Sequence, residues 1–315
     1  MENTLDQVAE SEDAIHLLLI ARTKLGKSTY AAQAAIDGFH VIYIDSDNGL
    51  SALNYALKGK PLEVRQRVQY FSVKRPVMFQ QVLLRSSTAK PGRWIPSLQR
   101  EWGPSASGVT PDTEVWQFDA TKIPGGVLMV IDSWTSTAND ALGIGAPEQS
   151  AALLDGTDQS IYGDANVNCN YICNLIQKTK FHVMVLAHEA KYEVYRKPVN
   201  VKAGDLKQKD MTLEDTVDVP QSTSYKNGFN MVSRFNYIGW LNMNGLGEVE
   251  IDFTRKPNRV GGGPPNKIAK IQDLPFSKLA NVLPIPPFDD WFRKTTHGDL
   301  VAADKTGLAA LSIKK

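Results

Sequence analysis

The chain has 315 residues, room for one large α/β domain or two small ones, with the 42% hydrophobic and 22% charged content of an ordinary globular protein. A net charge of +1 supplies no global field for nucleic acid, so any such binding must come from a local patch. The first fifteen residues are acidic and lack an apolar core, which argues against a signal peptide, and no apolar run of about eighteen residues exists to span a membrane; a cytoplasmic protein is expected. Cys169 and Cys173 stand four apart in a helix-like stretch, and with no other cysteine in the chain, helix packing is expected of them rather than a metal or redox role.

Taken in chain order, an acidic segment (1–13) precedes a strand at His16–Ile20, a helix at Lys27–Asp37, a strand at His40–Ile44, a helix at Gly49–Leu57, a strand at Val68–Val73 and a helix at Val77–Ser86. A stretch rich in Pro, Gly, Ser and Trp (about 87–126) reads as an inserted excursion, within which Trp94, Trp102 and Trp116 suggest either a small hydrophobic cluster or a partner surface. Strand Val127–Ile131, a small polar stretch (about 138–165), helix Asn166–Lys180 and strand His182–Ala187 follow, then a polar, lysine-rich stretch (about 190–228). Loops of that length are usually functional or mobile. Tyr237–Met243 and Glu248–Arg255 flank the turn signal NMNGLG and predict an antiparallel hairpin. The tail, 272–315, carries aromatics among prolines and is expected to lie extended over a surface, its own or a neighbour's. The first strands are continuous apolar runs, as buried parallel strands are, and their alternation with helices predicts a mostly parallel sheet with right-handed crossovers.

Ala21–Ser28 has the spacing of a P-loop, A-x-x-x-x-G-K-S, between a strand and a helix. Such a loop turns backbone N–H groups and a helix N-terminus toward phosphates. Residues Ala21, Arg22, Thr23, Lys24, Leu25, Gly26, Lys27, Ser28 and Thr29 are therefore the candidate nucleotide cradle. Gly26 permits close approach, Lys27 is the point charge on the β- and γ-phosphates, and the Ser28 hydroxyl is placed to coordinate Mg²⁺. Ala21 departs from the usual first glycine. It is tolerated at φ < 0 and costs roughly 1 kcal/mol if φ > 0 is required. In GGVLMVIDSW the apolar strand ends on Asp132, and a carboxylate at the end of a strand next to the P-loop strand can hold a magnesium-bound water. The competing readings are a chance GKS on a strand-to-helix turn and a strand-end Asp that caps the next turn.

The stretches GFHVIYIDSDNGLSALNYAL, VLMVIDSW, FHVMVLAHEA, NGFNMVSRFNYIGWL and VEIDFTRKPNR together resemble RecA-like ATPases over about residues 14–270. The resemblance implies a RecA-like P-loop core with a mostly parallel central sheet flanked by helices, a C-terminal antiparallel hairpin, and ATP with Mg²⁺ as cofactors. It places Asp47 where the family has a glutamate that polarises the attacking water, one CH₂ shorter, with Asp45 as competitor. It makes His188, beside Glu189, the γ-phosphate sensor at a strand end, and Arg255, Lys256 and Arg259 the basic group that reaches a neighbouring protomer's nucleotide in trans. No acidic partner for that group is obvious in the sequence.

The AHE ending and the size are more narrowly similar to phage RecA-like single-strand annealing and recombination proteins, which would act in the host cytoplasm. The two stretches at 138–165 and 190–228 would then face single-stranded DNA. The second carries Lys191, Tyr192, Tyr195, Arg196, Lys197, Lys202, Lys207 and Lys209, cations for phosphates and rings for bases, although it turns acidic at Glu214, Asp215 and Asp218. In the first, Tyr162 and backbone amides are the best contacts. Head-to-tail stacking with ATP at the seam, a single-strand-binding protein as further partner, and no membrane partner complete the expectation. Two alternatives remain open: a helicase-type motor, and a nucleotide-gated DNA-binding or assembly module with little turnover.

Overall fold

The computed structural model describes residues 14–47, 49–72, 94–99, 114–119, 122–141, 159–196, 212–222, 225–257, 259, 261–263, 265–286, 290–296, 298–299 and 302. In chain order the elements are β1 (His16–Ala21), α1 (Lys27–Ile36), β2 (His40–Asp45), α2 (Leu50–Leu57), α3 (Leu62–Gln66), β3 (Val68–Ser72), β4 (Trp94–Gln99), β5 (Glu114–Asp119) and β6 (Val127–Asp132). There follow α4 (Trp134–Ala141), α5 (Gln159–Ile176), β7 (His182–Arg196), β8 (Thr212–Pro220), α6 (Tyr225–Val232), β9 (Tyr237–Met243), β10 (Val249–Asp252), β11 (Ile268–Lys270) and β12 (Phe292–Thr296).

The main sheet runs β11-β10-β9-β1-β7-β6-β2-β3. From β3 to β9 all neighbours are parallel, while β9, β10 and β11 are antiparallel in succession. This is the RecA-like arrangement expected: a mostly parallel sheet, helices on its faces, an antiparallel C-terminal edge. The reason lies in the strands themselves. In β1, Leu18 and Ile20 point into one core and Leu17, Leu19 and Ala21 into the other, and all five are fully buried. A strand covered on both faces favours apolar residues throughout, hence the unbroken run from Leu17 to Ala21, with the polar His16 at its start partnered by Thr179. The face bearing Leu17 and Leu19 is covered by the alanine side of α1, by α2, and by Leu274 and Phe276. The opposite face packs against Trp134 and Ala138 of α4, Cys169, Ile172, Cys173 and Ile176 of α5, and Trp291 and Phe292. Neither cysteine is in a disulfide and both are buried there, as helix packing requires. The hairpin between β9 and β10 turns at Asn244, whose side-chain carbonyl accepts the backbone N–H groups of Leu246 and Glu248.

Three features differ from expectation. β7 does not stop at Ala187 but continues to Arg196, pairing antiparallel with β8 as a two-stranded ribbon with a register shift at Val194/Tyr195. Past Glu189 the ribbon leaves the sheet, so the strand signal changes from a continuous apolar run to alternation, with Lys191 and Glu193 exposed about a half-buried Tyr192. Second, β6 is not next to β1; β7 lies between them. Third, part of the tail belongs to the body: Leu274, Phe276, Trp291 and Phe292 are buried, and β12 joins β5 and β4 in a second antiparallel sheet. The expected helix at Val77–Ser86 and the side chains of Trp94, Trp102 and Trp116 lie outside the described residues.

Candidate functional site

β1 ends at Ala21 and the chain turns into α1 through a loop with two left-handed residues, Lys24 at φ 66° and Gly26 at φ 87°. Gly26 caps α1 with its own carbonyl, which accepts the N–H of Tyr30. Ala21 is the last residue of β1, in register with His188 and Leu241, and is not among the positive-φ residues. The alanine is therefore unstrained, and the cost reserved for φ > 0 does not arise.

Lys27 folds back over this loop. It is 7% exposed, and its ammonium donates to the carbonyls of Ala21 (3.3 Å) and Arg22 (3.5 Å). Burial lowers its pKa, opposed by the charges of Asp132 and Asp47. Ser28 Oγ donates to Asp132 Oδ2 at 2.9 Å. The two meet although β7 separates their strands, because α1 packs obliquely on β1, β7 and β2 and carries Ser28 toward β6. Asp132 is buried, which raises its pKa, while the hydrogen bonds from Tyr43 and Ser28 oppose that rise.

The two acids after β2 have separate roles. Asp45 is buried and fully engaged: Oδ1 accepts the N–H of Asp47, and Oδ2 accepts the N–H of Leu50 and the hydroxyl of Tyr70. It holds the turn into α2. Asp47 projects from that turn into the cleft, where its Oδ2 lies 2.9 Å from His188 Nε2. His188 Nδ1 in turn lies 3.3 Å from Lys27 Nζ and 3.5 Å from Thr23 Oγ1. With the Nε2 proton donated to Asp47, Nδ1 is the acceptor for the lysine, so Asp47, His188 and Lys27 form one chain of hydrogen bonds. The N–H of His188 donates to Thr135 Oγ1, and its carbonyl accepts the N–H of Gln221 at the foot of the ribbon. Arg22 faces Glu189 at 3.5 Å.

Thr23, Lys27, Ser28, Asp47, Asp132 and His188 line an open cleft of about 320 Å³ at the carboxyl ends of β1, β2 and β6, beside the middle of β7. A buried ammonium, a left-handed glycine at a helix N-terminus and a serine–aspartate pair are the donor set that a nucleotide triphosphate and Mg²⁺ need, so the residues fit both. Lys27 and the loop amides would hold phosphate oxygens, and Ser28 and Asp132 the ion.

Sequence reasoning missed Tyr43, whose hydroxyl donates to Asp132 Oδ2 at 2.5 Å, and Gly49, where a Cβ would stand 2.6 Å from the same oxygen. A lone phenol in the aliphatic run HVIYID was the available signal, since a buried tyrosine needs a partner.

The expected lack of an acidic partner for the basic group is overturned. Asp252, 1% exposed, pairs with Arg259 and, at 2.6 Å, with Lys256. Arg259 is buried, with its guanidinium 4.8 Å from the centre of the Trp240 ring. Arg255 is exposed and forms no ion pair among the described residues. Of the DNA candidates, Lys191 is exposed and Tyr192 half-buried on the ribbon; the backbones of Tyr195 and Arg196 end β7. The side chains of those two, all of Lys197, Lys202, Lys207 and Lys209, and the side chain of Tyr162 lie outside the described residues.

Fold and site thus define an α/β protein with a mostly parallel central sheet and a cleft at the turn from β1 into α1. No family model and no curated protein matches the chain. Among solved structures it is similar to the crystal structure of the RadB recombinase, at 15% identity over 82% of this chain and 89% of that one, with a TM-score of 0.38. No helix among the described residues is long and apolar enough to cross a membrane.

Proposed function

We propose that the chain is a magnesium-dependent ATPase of recombination type that binds single-stranded DNA and assembles head to tail with ATP at the seam. The observation that carries this reading is the meeting of Ser28 and Asp132 at 2.9 Å beside the buried Lys27. Mg²⁺ held by Ser28 and Asp132 would supply charge neutralisation for the phosphates. Lys27 binds the phosphates, and Asp47 orients the attacking water. His188 connects Asp47 to the lysine on one side and, through the ribbon that begins one residue later, to the DNA on the other. Arg255 is the group best exposed to reach a neighbour's nucleotide.

Lys27→Ala should cut ATP affinity at least about tenfold, because the phosphates lose their principal cation. ATP-dependent binding to a single-stranded oligonucleotide should be lost with it. Equilibrium binding of ATP to both proteins, followed by the oligonucleotide with and without ATP, measures this. Unaltered nucleotide affinity in the variant would refute the site.

The low-turnover alternative keeps one support, the shorter Asp47 in place of glutamate. Steady-state hydrolysis with and without single-stranded DNA decides between the two, since a gated binding module shows no stimulation.

A further inference from the structure

Tyr43 and Tyr70 stand opposite each other on β2 and β3, their rings stacked with centroids 6.1 Å apart and an interplanar angle of 24°. Each hydroxyl ends on a carboxylate: one lines the cleft, the other holds the turn that carries Asp47 into it. Tyr43 donates to Asp132 Oδ2 and Tyr70 to Asp45 Oδ2, both at 2.5 Å. A buried phenol needs a hydrogen-bond acceptor, but a backbone carbonyl would serve. That both select acids, one lining the cleft and one bonded to the backbone of Asp47, which lines it, calls for a different account.

Around Asp132, three groups confine one oxygen. Oδ2 accepts from Ser28 and Tyr43, and Gly49 closes the third side, leaving no room for even a methyl group. Oδ1 makes no hydrogen bond among the described residues. The carboxylate is thereby anchored by one oxygen and presents the other. Asp45 is arranged differently. Both its oxygens are engaged, by Tyr70, Asp47 N–H and Leu50 N–H, so it presents nothing and instead fixes the turn from which Asp47 projects.

We propose that the stacked tyrosine pair positions the reaction centre: Tyr43 sets the orientation of the metal-binding carboxylate Asp132, and Tyr70, through Asp45, sets the turn that presents Asp47. The proposal rests on the phosphate-site reading above. The two phenols act on different events. Tyr43 governs capture of the ion, and Tyr70 governs turnover once ion and nucleotide are bound. Stacking holds each ring against the other, so neither hydroxyl swings away from its acid.

Tyr43→Phe and Tyr70→Phe each delete one oxygen and retain the stack. The full chain is titrated with a fluorescent non-hydrolysable ATP analogue, first in EDTA and then with rising Mg²⁺; hydrolysis is measured separately at saturating Mg²⁺ and ATP. In Tyr43→Phe the metal-free affinity should stay within about twofold of the unaltered chain, while the Mg²⁺ concentration for half-maximal enhancement rises about 10–100-fold, the usual cost of losing a group that orients a metal ligand. In Tyr70→Phe that midpoint should stay in place while kcat falls about tenfold with KM little changed, as misplacement of a water-orienting group requires.

An unshifted midpoint in Tyr43→Phe overturns the proposal, and so does an equal shift in Tyr70→Phe, which marks a general loss of integrity. An unchanged kcat in Tyr70→Phe overturns its half. An unaltered chain that binds no nucleotide refutes the phosphate site itself, whereas normal binding with silent variants refutes only the tyrosines' role.

Discussion

Gly49 lies outside the P-loop and carries no functional group, yet replacing it with alanine should damage the site more than most charge changes. Its φ of −71° and ψ of −7° suit alanine, so the backbone resists nothing. At the head of α2 the change alters stability by no more than about 1 kcal/mol. The added methyl, however, would stand 2.6 Å from Asp132 Oδ2, 3.1 Å from the Tyr43 hydroxyl and 3.4 Å from Ser28 Oγ. Ordinary contact begins near 3.4 Å, so the carboxylate must retreat by roughly 0.8 Å or the turn must open. Displacements of about 1 Å in a reacting constellation cost on the order of 100-fold in rate. Gly49→Ala should therefore lose about two orders of magnitude in Mg²⁺-dependent ATP turnover while its thermal midpoint, measured without nucleotide, moves by only a few degrees. Near-normal turnover at limiting Mg²⁺, with the fold intact, would refute the account of Asp132 as a metal-binding carboxylate confined at Oδ2. A large fall in thermal midpoint would show instead that the methyl is accommodated by opening the turn.

Two further outcomes separate structural from functional charge. Arg259→Ala should cost about 3 kcal/mol in urea denaturation, since it strips the buried Asp252 of one partner; the figure is at the low end for a broken buried pair because Lys256 remains. Arg255→Ala, on an exposed side chain, should change stability by less than about 0.5 kcal/mol while lowering hydrolysis only under conditions of assembly; equal stability losses in the two would remove the distinction. His16 is 7% exposed, and burial lowers its pKa to about 4 from 6.5, so it stays neutral in the fold while the unfolded chain takes up a proton below pH 6.5. Its contribution is therefore complete above pH 6.5 and declines toward pH 4, by about 3 kcal/mol in all. His16→Gln should flatten that part of the stability profile, and a profile parallel to that of the unaltered chain would show that His16 does not titrate there.

What the sequence made legible was chemistry that must sit at fixed spacing. Gly26, Lys27 and Ser28 serve one turn, and a run of aliphatic residues ending on Asp132 could only be a buried strand with its acid at the tip. Strand order was not legible in the same way. Nothing local in Val127–Asp132 says that β7 intervenes before β1, and the error came from treating a functional neighbour as a sheet neighbour. Asp45 and Asp47 illustrate the limit most sharply. They lie two apart at one strand end, both suited to either role, and what separates them is which one the N–H groups of residues 47 and 50 reach.

The basic strand end carries the same lesson with the opposite sign. Asp252 was in plain view three residues before Arg255, but its pairing with Arg259 requires the chain to double back, which the isolated bridge between Lys256 and Arg259 accomplishes. Charge that reads as free in one dimension was neutralised within its own turn. Tyr43 and Gly49 belong to this group too: each acts across the β2–β6 seam, on a residue more than 80 positions away. Their contacts with Asp132 exist only because a parallel sheet places Asp45 and Asp132 in register. Under the proposed function, a site assembled in this way leaves the acid assigned to the water and the acid assigned to the ion open to independent adjustment, one from β3 through Tyr70 and one from β2 through Tyr43. Metal affinity and turnover should therefore respond separately to substitution of these two phenols.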